Sequence, residues 1–484
     1  ESESESESES ESESEAEAEA EANADAGPDA VADASVDASN CVPEVCNGVD
    51  DNCDGDIDEG GWCASCGSGP GTLCWARRAG DAETDRGFAI ATIAGGAWVV
   101  GEFELTASFG LGEAGETTIG PVDDDGAFLA RYDVDGVLVS ARTAVTAGLP
   151  AQTDYGWGSP WHSPYGIAAA SEGGVFVCGI VAPAATFGAD DAAETTLSGD
   201  SVNGDLFLAR FDAAGTIVWA RRVGGTGPDD AFAVAAIPGG DALVAGSFWG
   251  TATFGEGEAN ETTLSAYGGT DAFLARYASD GTLAWARHAG SASGPDTAYG
   301  VAGDSDGGVR IAGRFTGAAT FGEGEATETS LDVYGGSTAL VAAYDADGGF
   351  AWARRAGSEQ SVTATDVAPG PDASALVAGF FRGSATFGEG ETTEATLDAS
   401  GIVDFFLARY AADGSLVWVR RDGGASDEVA NAIAVAPDGS VIVAGCFDGL
   451  TTLGGGDATA AQDGGITVVV EQDAITRLFA GEHF

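Results

Sequence analysis

Along most of the chain, apolar and polar positions alternate in short runs broken by Gly, Asp and Pro. Between Asp230 and His288 this pattern predicts four strands. Asp230 to Ala236 alternates small and apolar residues and stops at Pro238-Gly239-Gly240. Ala242 to Phe248 follows, then a long loop, then Ala272 to Tyr277. Ser279-Asp280-Gly281 turns that strand into Thr282 to His288. Period-two alternation, β-branched and aromatic enrichment and Gly/Asp turns predict antiparallel β-structure. Nothing in the chain carries a helical period with caps.

The same four-strand phrase recurs. Trp-Ala-Arg begins at Trp75, Trp219, Trp285 and Trp352, and degrades to Ser140-Ala141-Arg142 and Trp418-Val419-Arg420. The successive spacings are 65, 79, 66, 67 and 66 residues. Phe-Leu-Ala-Arg recurs at Phe128, Phe207, Phe273 and Phe406, and Thr-Phe-Gly at Thr186, Thr253, Thr320 and Thr386. Four strands per repeat, six times, predict an all-β fold, a six-bladed β-propeller over 73–484. The last repeat has strands at Val429 to Ala436, Val441 to Phe447 and Ile475 to Phe479, and lacks a fourth. A spare fourth strand, Leu73 to Ala79, precedes the first repeat. The expectation is therefore a ring closed by its N-terminal strand, which also removes an open edge.

The phrase 244–255 (Val-Ala-Gly-Ser-Phe-Trp-Gly-Thr-Ala-Thr-Phe-Gly), followed by 271–277 and Leu-Ala-Trp-Ala-Arg at 283–287, resembles the SBBP-type β-propeller repeat of bacterial surface and secreted proteins. The resemblance covers about 85% of the chain. It implies the fold but no common activity.

Ahead of the repeats the composition changes twice. Residues 1–40 alternate Glu with Ser or Ala and then carry spaced Asp, with 15 acidic residues and no basic one. With almost nothing to bury, this stretch reads as a disordered, self-extended acidic spacer. Residues 41–72 form a Cys-rich module. Cys41, Cys46, Cys53, Cys63, Cys66 and Cys74 fall within 34 residues, which points to three disulfides of open connectivity and an oxidising compartment. Cys178 and Cys446 sit in apolar strands and read as buried free thiols.

Charge narrows the partners. There are 78 acidic and 19 basic residues, a formal net charge of -59. Every basic residue is Arg. Such a field repels nucleic acid and anionic membranes, and suits cations or salty water. No apolar stretch is long enough to span a bilayer. The chain starts at Glu1 without Met, which is read as processing. Secretion or display on the outer cell surface is expected, with a lipid anchor in the removed segment as one route.

Two places carry candidate chemistry. Asp50, Asn52, Asp54, Gly55, Asp56 and Asp58 follow the first places of an EF-hand-type loop, in which alternate residues of a tight turn offer oxygens to a hard cation. The twelfth place is Gly61 rather than Glu, so either Asp58 or Glu59 is the bidentate ligand or the site is incomplete, the stretch then being a disulfide-stapled acidic turn without metal. Glu44 through Glu59 also resembles a Cys/Asp metal-binding motif of myxobacterial surface proteins and of a methanotroph copper-binding surface protein. The resemblance implies a metal, and oxygen-only ligands favour Ca2+ over Cu2+. The second place is an insertion at 148–164, where Tyr155, Trp157, Trp161 and His162, with Tyr165 beside them, either fold over their blade as a hydrophobic plug or, if exposed, would suit stacking on sugar rings. The recurring Gly-Glu-Gly-Glu phrases (255–258, 322–325, 388–391) read as solvated turns, with weak cation binding as their alternative. The regularly placed Arg residues read as structural, packing on blades and pairing with loop carboxylates.

No nucleophile motif is visible, and His occurs only at His162, His288 and His483. The resulting expectation is a non-enzymatic, monomeric binding or structural protein that meets polysaccharide or another surface protein. The alternative is a polysaccharide-acting hydrolase or lyase whose site lies on the face carrying the insertion.

Overall fold

The computed structural model describes residues 76–122, 125–147, 163–182, 184–199, 204–424, 427–435, 441–447 and 466–472. The chain divides between Ala76 and Arg77, and the structure below is that of the second part. The spacer, the Cys-rich module and the 148–162 stretch lie outside the described residues.

The described residues are all-β, arranged as several antiparallel sheets with two single-turn 3-10 segments and no α-helix. No helix among them is long and apolar enough to cross a membrane. Five repeats show four main antiparallel strands each. Repeat one has Asp85–Ile93, Gly96–Glu104, Asp125–Asp133 and Leu138–Ala147. Repeat two has Pro164–Ala169, Val175–Val181, Asp205–Phe211 and Ile217–Gly225. Repeat three has Asp229–Ala236, Ala242–Phe254, Thr262–Tyr277 and Leu283–Ser291. Repeat four has Thr297–Gly303, Val309–Phe315, Thr338–Tyr344 and Phe350–Ser358. Repeat five has Ser361–Pro369, Ala375–Arg382, Asp404–Tyr410 and Leu416–Asp422.

The sixth repeat departs from this pattern. Glu428–Val435 and Val441–Phe447 pair antiparallel, but Ile466–Gln472 pairs parallel to Val441–Phe447. Residues 448–465 are long enough for the crossover that a parallel pair needs. The expected third strand at 475–479 lies outside the described residues. Residues 76–80, expected as part of a strand, form no ladder among the described residues.

The long loop expected between second and third strands is instead a β-hairpin. In repeat two, Ala184–Phe187 pairs with Thr195–Ser198, and Phe187 also registers against Val145 of repeat one's fourth strand. The same docking joins Gly224 to Thr253, Gly290 to Thr320 and Ala356 to Phe387. Each hairpin thus extends the preceding repeat's sheet.

Apolar residues occupy both faces of the second and third strands because both faces are covered. Ala242, Leu243, Val244 and Ala245 are all fully buried. Val244 packs toward repeat two with Phe176 and Trp219, while Leu243 and Ala245 pack toward repeat four with Ile311 and Phe321. The core therefore lies between consecutive sheets. First strands of consecutive repeats also pack together, each with a β-bulge at the same step, and the bulged residues meet in a file. Phe88 and Tyr165 have ring centroids 6.3 Å apart, Tyr165 and Phe232 5.7 Å, and Phe232 and Tyr299 5.4 Å. Tyr165 is thus a strand residue rather than part of an open insertion. Cys178 and Cys446 are both buried, as expected, and burial pushes the Cys178 thiol up.

A latch of Trp and Arg recurs at the seams. The indole N–H of Trp98 donates to Gly173 O at 3.0 Å, Trp219 to Ser279 O at 3.1 Å, Trp285 to Ala346 O at 3.1 Å and Trp352 to Ala412 O at 2.8 Å. Each acceptor belongs to the following repeat. Arg221, Arg287 and Arg354 lie over the rings two residues before them, with the guanidinium carbon 5.5 to 5.6 Å from the ring centroid.

Candidate functional site

The acidic hairpin turns are built into this frame. Glu113, Asp191, Glu258, Glu325 and Glu391 each accept the backbone N–H that opens their own repeat's fourth strand, from Leu138, Ile217, Leu283, Phe350 and Leu416. Four of them also meet an arginine of the preceding fourth strand or its N-terminal counterpart. Arg77–Glu113 spans 3.1 Å, Arg142–Asp191 2.6 Å, Arg221–Glu258 3.8 Å and Arg354–Glu391 3.7 Å. Glu116, Glu194, Glu261, Glu328 and Glu394 close the turns by accepting a backbone N–H four residues earlier. The second carboxylate of each acidic phrase, and the Glu three residues beyond it, are thus engaged in structure rather than simply solvated. Open clefts of about 730 and 710 Å³ at two successive seams are lined by the same latch positions, Trp219 and Arg221 in one and Trp285 and Arg287 in the next.

A site specific to one place must therefore break the repetition, and the seam between repeats three and four does so. At the step after Trp-Ala-Arg, repeats two, four and five carry Arg222, Arg355 and Arg421. Arg222 Nε donates to Asp205 Oδ2 at 2.7 Å, Arg421 Nη1 to Asp404 Oδ2 at 2.7 Å, and Arg355 Nη2 to Glu389 Oε2 at 2.6 Å. Repeat three has His288 there. Phe273 stands opposite His288, so His288 and Asp271 share a sheet face as diagonal neighbours, the placement an arginine spans elsewhere. The shorter imidazole does not span it. His288 Nε2 and Asp271 Oδ1 are both buried without a hydrogen-bond partner among the described residues.

The consequences are electrostatic. Asp271 is fully buried, and its Oδ2 accepts the Tyr267 N–H at 3.0 Å. Burial, aided by nearby Asp296, pushes its carboxyl up to about 7 despite that bond. Asp296, on the first side of repeat four, is 1% exposed. It accepts the Ser291 N–H at 2.6 Å, the Ser291 hydroxyl at 2.7 Å and the Thr316 N–H at 2.8 Å. Burial still raises it to about 6, against the pull of those bonds and of Arg314. His288 is held below its ordinary value by burial, with Glu323 opposing. Its ring lies 4.8 Å from Tyr267 and 6.0 Å from Phe248. The Tyr267 hydroxyl donates to Glu323 Oε2 of the next repeat at 2.5 Å.

The same two repeats also carry exposed aromatic rings. Trp249 is 50% exposed, Tyr267 36% and Tyr334 50%. Tyr267 and Tyr334 stand at equivalent steps, each followed by Gly-Gly and four residues ahead of Asp271 and Thr338 respectively. Repeats one and five have Pro121 and Ser400 at that step. Sequence reasoning passed over these residues. The signal was present in the change from Trp-Ala-Arg-Arg to Trp-Ala-Arg-His and in the recurring Tyr-Gly-Gly.

The predicted metal ligands Asp50, Asn52, Asp54, Asp56, Asp58 and Glu59, and the predicted ligand-binding Tyr155, Trp157, Trp161 and His162, lie outside the described residues. Among the described residues, no group of three or more His, Cys, Asp or Glu side chains is placed to hold a metal ion.

No family model matches the chain, and no curated protein matches it. Among solved structures, the crystal structure of Sqt1 from Chaetomium thermophilum is 11% identical over 73% of this chain and 92% of that one, with a TM-score of 0.27. The V. cholerae biofilm matrix protein Bap1 is 12% identical over 72% of this chain and 62% of that one, with a TM-score of 0.13. Likenesses this slight leave the role of the chain to its own residues.

Proposed function

We propose that the chain is a non-enzymatic binding scaffold of the cell exterior, secreted or held at the outer surface. In this reading its six repeats close into a six-bladed propeller, and Ca2+ at Asp50, Asn52, Asp54, Asp56, Asp58 and Glu59 stiffens the Cys-rich module. The SBBP-type resemblance of the repeats and the motif at Glu44 to Glu59 both point the same way. Residues 77–80 support closure. Arg77 Nε donates to Glu113 Oε1 and to Gly136 O, each at 3.1 Å, and Gly80 N donates to Ser108 O at 2.8 Å. Those are the kinds of contact that a fourth strand makes to the following repeat, and they support reading the N-terminal segment as the sixth repeat's fourth strand.

The observation that carries the binding reading is the inaccessibility of the acids beside His288, where the repetition breaks. Asp271 and Asp296 are 0% and 1% exposed. Carboxyls that deep cannot reach a glycosidic oxygen, whereas the exposed rings of Trp249, Tyr267 and Tyr334 are open to a ligand.

Calorimetric titration of Ca2+ and Cu2+ into the chelator-stripped protein tests the module, with Asp54→Ala/Asp56→Ala as control. One saturable Ca2+ site, lost in the control, is expected. Copper binding instead would recast the module as metal capture, and binding of neither ion would remove the metal from the proposal.

A further inference from the structure

We propose that Trp249, Tyr267 and Tyr334 form a docking track for an uncharged polysaccharide, a proposal that rests on the binding-scaffold reading above. These are large rings that ordinarily contribute most when buried, yet each is a third to a half exposed. Their poses are fixed by backbone. The Trp249 indole is flanked by two glycines. A Cβ on Gly227 would stand 2.6 Å from its Cδ1, and one on Gly269 would stand 3.5 Å from its Cζ3. A Cβ on Gly357 would likewise stand 2.7 Å from the Tyr334 Cβ. The Tyr334 N–H donates to Thr338 Oγ1 at 2.7 Å, matching the bond from the Tyr267 N–H to Asp271. Rings held in place by such close packing meet a ligand with little ordering cost.

Repetition and chemistry select the ligand. Tyr267 and Tyr334 repeat at equivalent steps of adjacent repeats, and a repeating platform suits a repeating chain. Flat ring faces suit the C–H faces of pyranose rings. Glu323, which already accepts the Tyr267 hydroxyl, belongs to an exposed turn whose carboxylate oxygens can accept sugar hydroxyls. The net charge of -59 opposes nucleic acid, anionic glycans and anionic lipid surfaces, so among sugar chains it favours the uncharged ones.

Affinity electrophoresis of the full chain through gels holding hydroxyethylcellulose, soluble starch or galactomannan, with alginate as the anionic comparison, tests the track. Retardation by at least one uncharged polymer is expected. It should persist at high salt and weaken about two- to tenfold in each of Trp249→Ala and Tyr334→Ala. Tyr334→Phe should retain it, and Ile402→Ala, at an exposed apolar side chain outside the track, should leave it unchanged. Thermal unfolding of each variant should match the parent, since the altered rings lie half in solvent. The track is refuted by retardation in alginate alone, by retardation that both alanine variants preserve, or by no retardation in any uncharged gel. Those failures leave the scaffold reading standing on its metal titration. Release of reducing ends from a retarding polymer would instead overturn the non-enzymatic reading itself.

Discussion

The Tyr267 hydroxyl holds Glu323 across the seam between repeats three and four, at the step where Arg355 holds Glu389 one seam later. The substitution of one partner for the other follows from His288, which is too short to serve both Asp271 and Glu323. Repeat four offers a direct comparison, since Phe315, Tyr334 and Arg355 occupy the places of Phe248, Tyr267 and His288. His288→Arg should therefore fit without overpacking and supply the missing cation to Asp271 and Glu323. A charge-assisted bond there should add about 1.5–3 kcal/mol, read as a rise in the thermal midpoint. An unchanged or lowered midpoint would show that the seam is already satisfied.

The buried carboxyls give stability a definite pH dependence. Burial raises Asp229 to about 8, Asp271 to about 7 and Asp296 to about 6. In the unfolded chain all three return to roughly 4. The folded state therefore binds more protons than the unfolded state between those limits. Their contribution is complete below about pH 4 and is lost as pH rises through each folded value, so stability falls between about pH 4 and 8. The urea midpoint at constant ionic strength should decline across that range. Self-repulsion of the acidic surface acts in the same direction, so the decisive comparison is Asp229→Asn or Asp271→Asn, whose decline should be shallower. Parallel curves for parent and variants would refute the assignment.

Reading the chain alone recovered what local pattern encodes. The strands of repeat three are visible because alternation, Pro238-Gly239-Gly240 and Ser279-Asp280-Gly281 are all local signals. The hairpin at Thr253 to Thr263 was not visible, because its polar turn resembles a loop and its docking partner Gly224 lies almost thirty residues upstream. Glu258 reads as a solvated acid for the same reason. Its partners, the Leu283 N–H and Arg221, come from elsewhere in the chain. The His288 seam was legible only as a departure from repetition, and only the structure shows that His288 faces Asp271. The parallel strand Ile466–Gln472 had no local signal, since an apolar β-branched run does not specify the direction of its partner.

The Trp latch separates packing from hydrogen bonding. Trp285 is 8% exposed, packs among Leu243, Ala245 and Phe350, and donates to Ala346 O at 3.1 Å. Trp285→Phe keeps most of the apolar contact and loses the donor, at about 1 kcal/mol. Trp285→Ala also opens a cavity between repeats three and four, at about 3–5 kcal/mol. Denaturant unfolding of both variants checks the order. Equal losses would mean that the indole N–H, rather than the ring, holds the seam.

Closure of the ring is tested at its first link. The Arg77 and Glu113 side chains are 12% and 7% exposed, and Arg77 also donates to Gly136 O. Arg142 makes the equivalent ion pair to Asp191 one seam later, at 2.6 Å, and bonds Thr216 Oγ1. If residues 77–80 complete the last repeat, Arg77 is a seam residue like any other, and Arg77→Ala should lower the thermal midpoint about as much as Arg142→Ala. Each loss should be about 1.5–3 kcal/mol, because a largely buried carboxylate is left without its cation. A pendant N-terminal segment predicts otherwise. It could fray away with Arg77 at little cost, so Arg77→Ala would leave the midpoint in place while Arg142→Ala lowered it. That outcome would refute closure by the N-terminal strand.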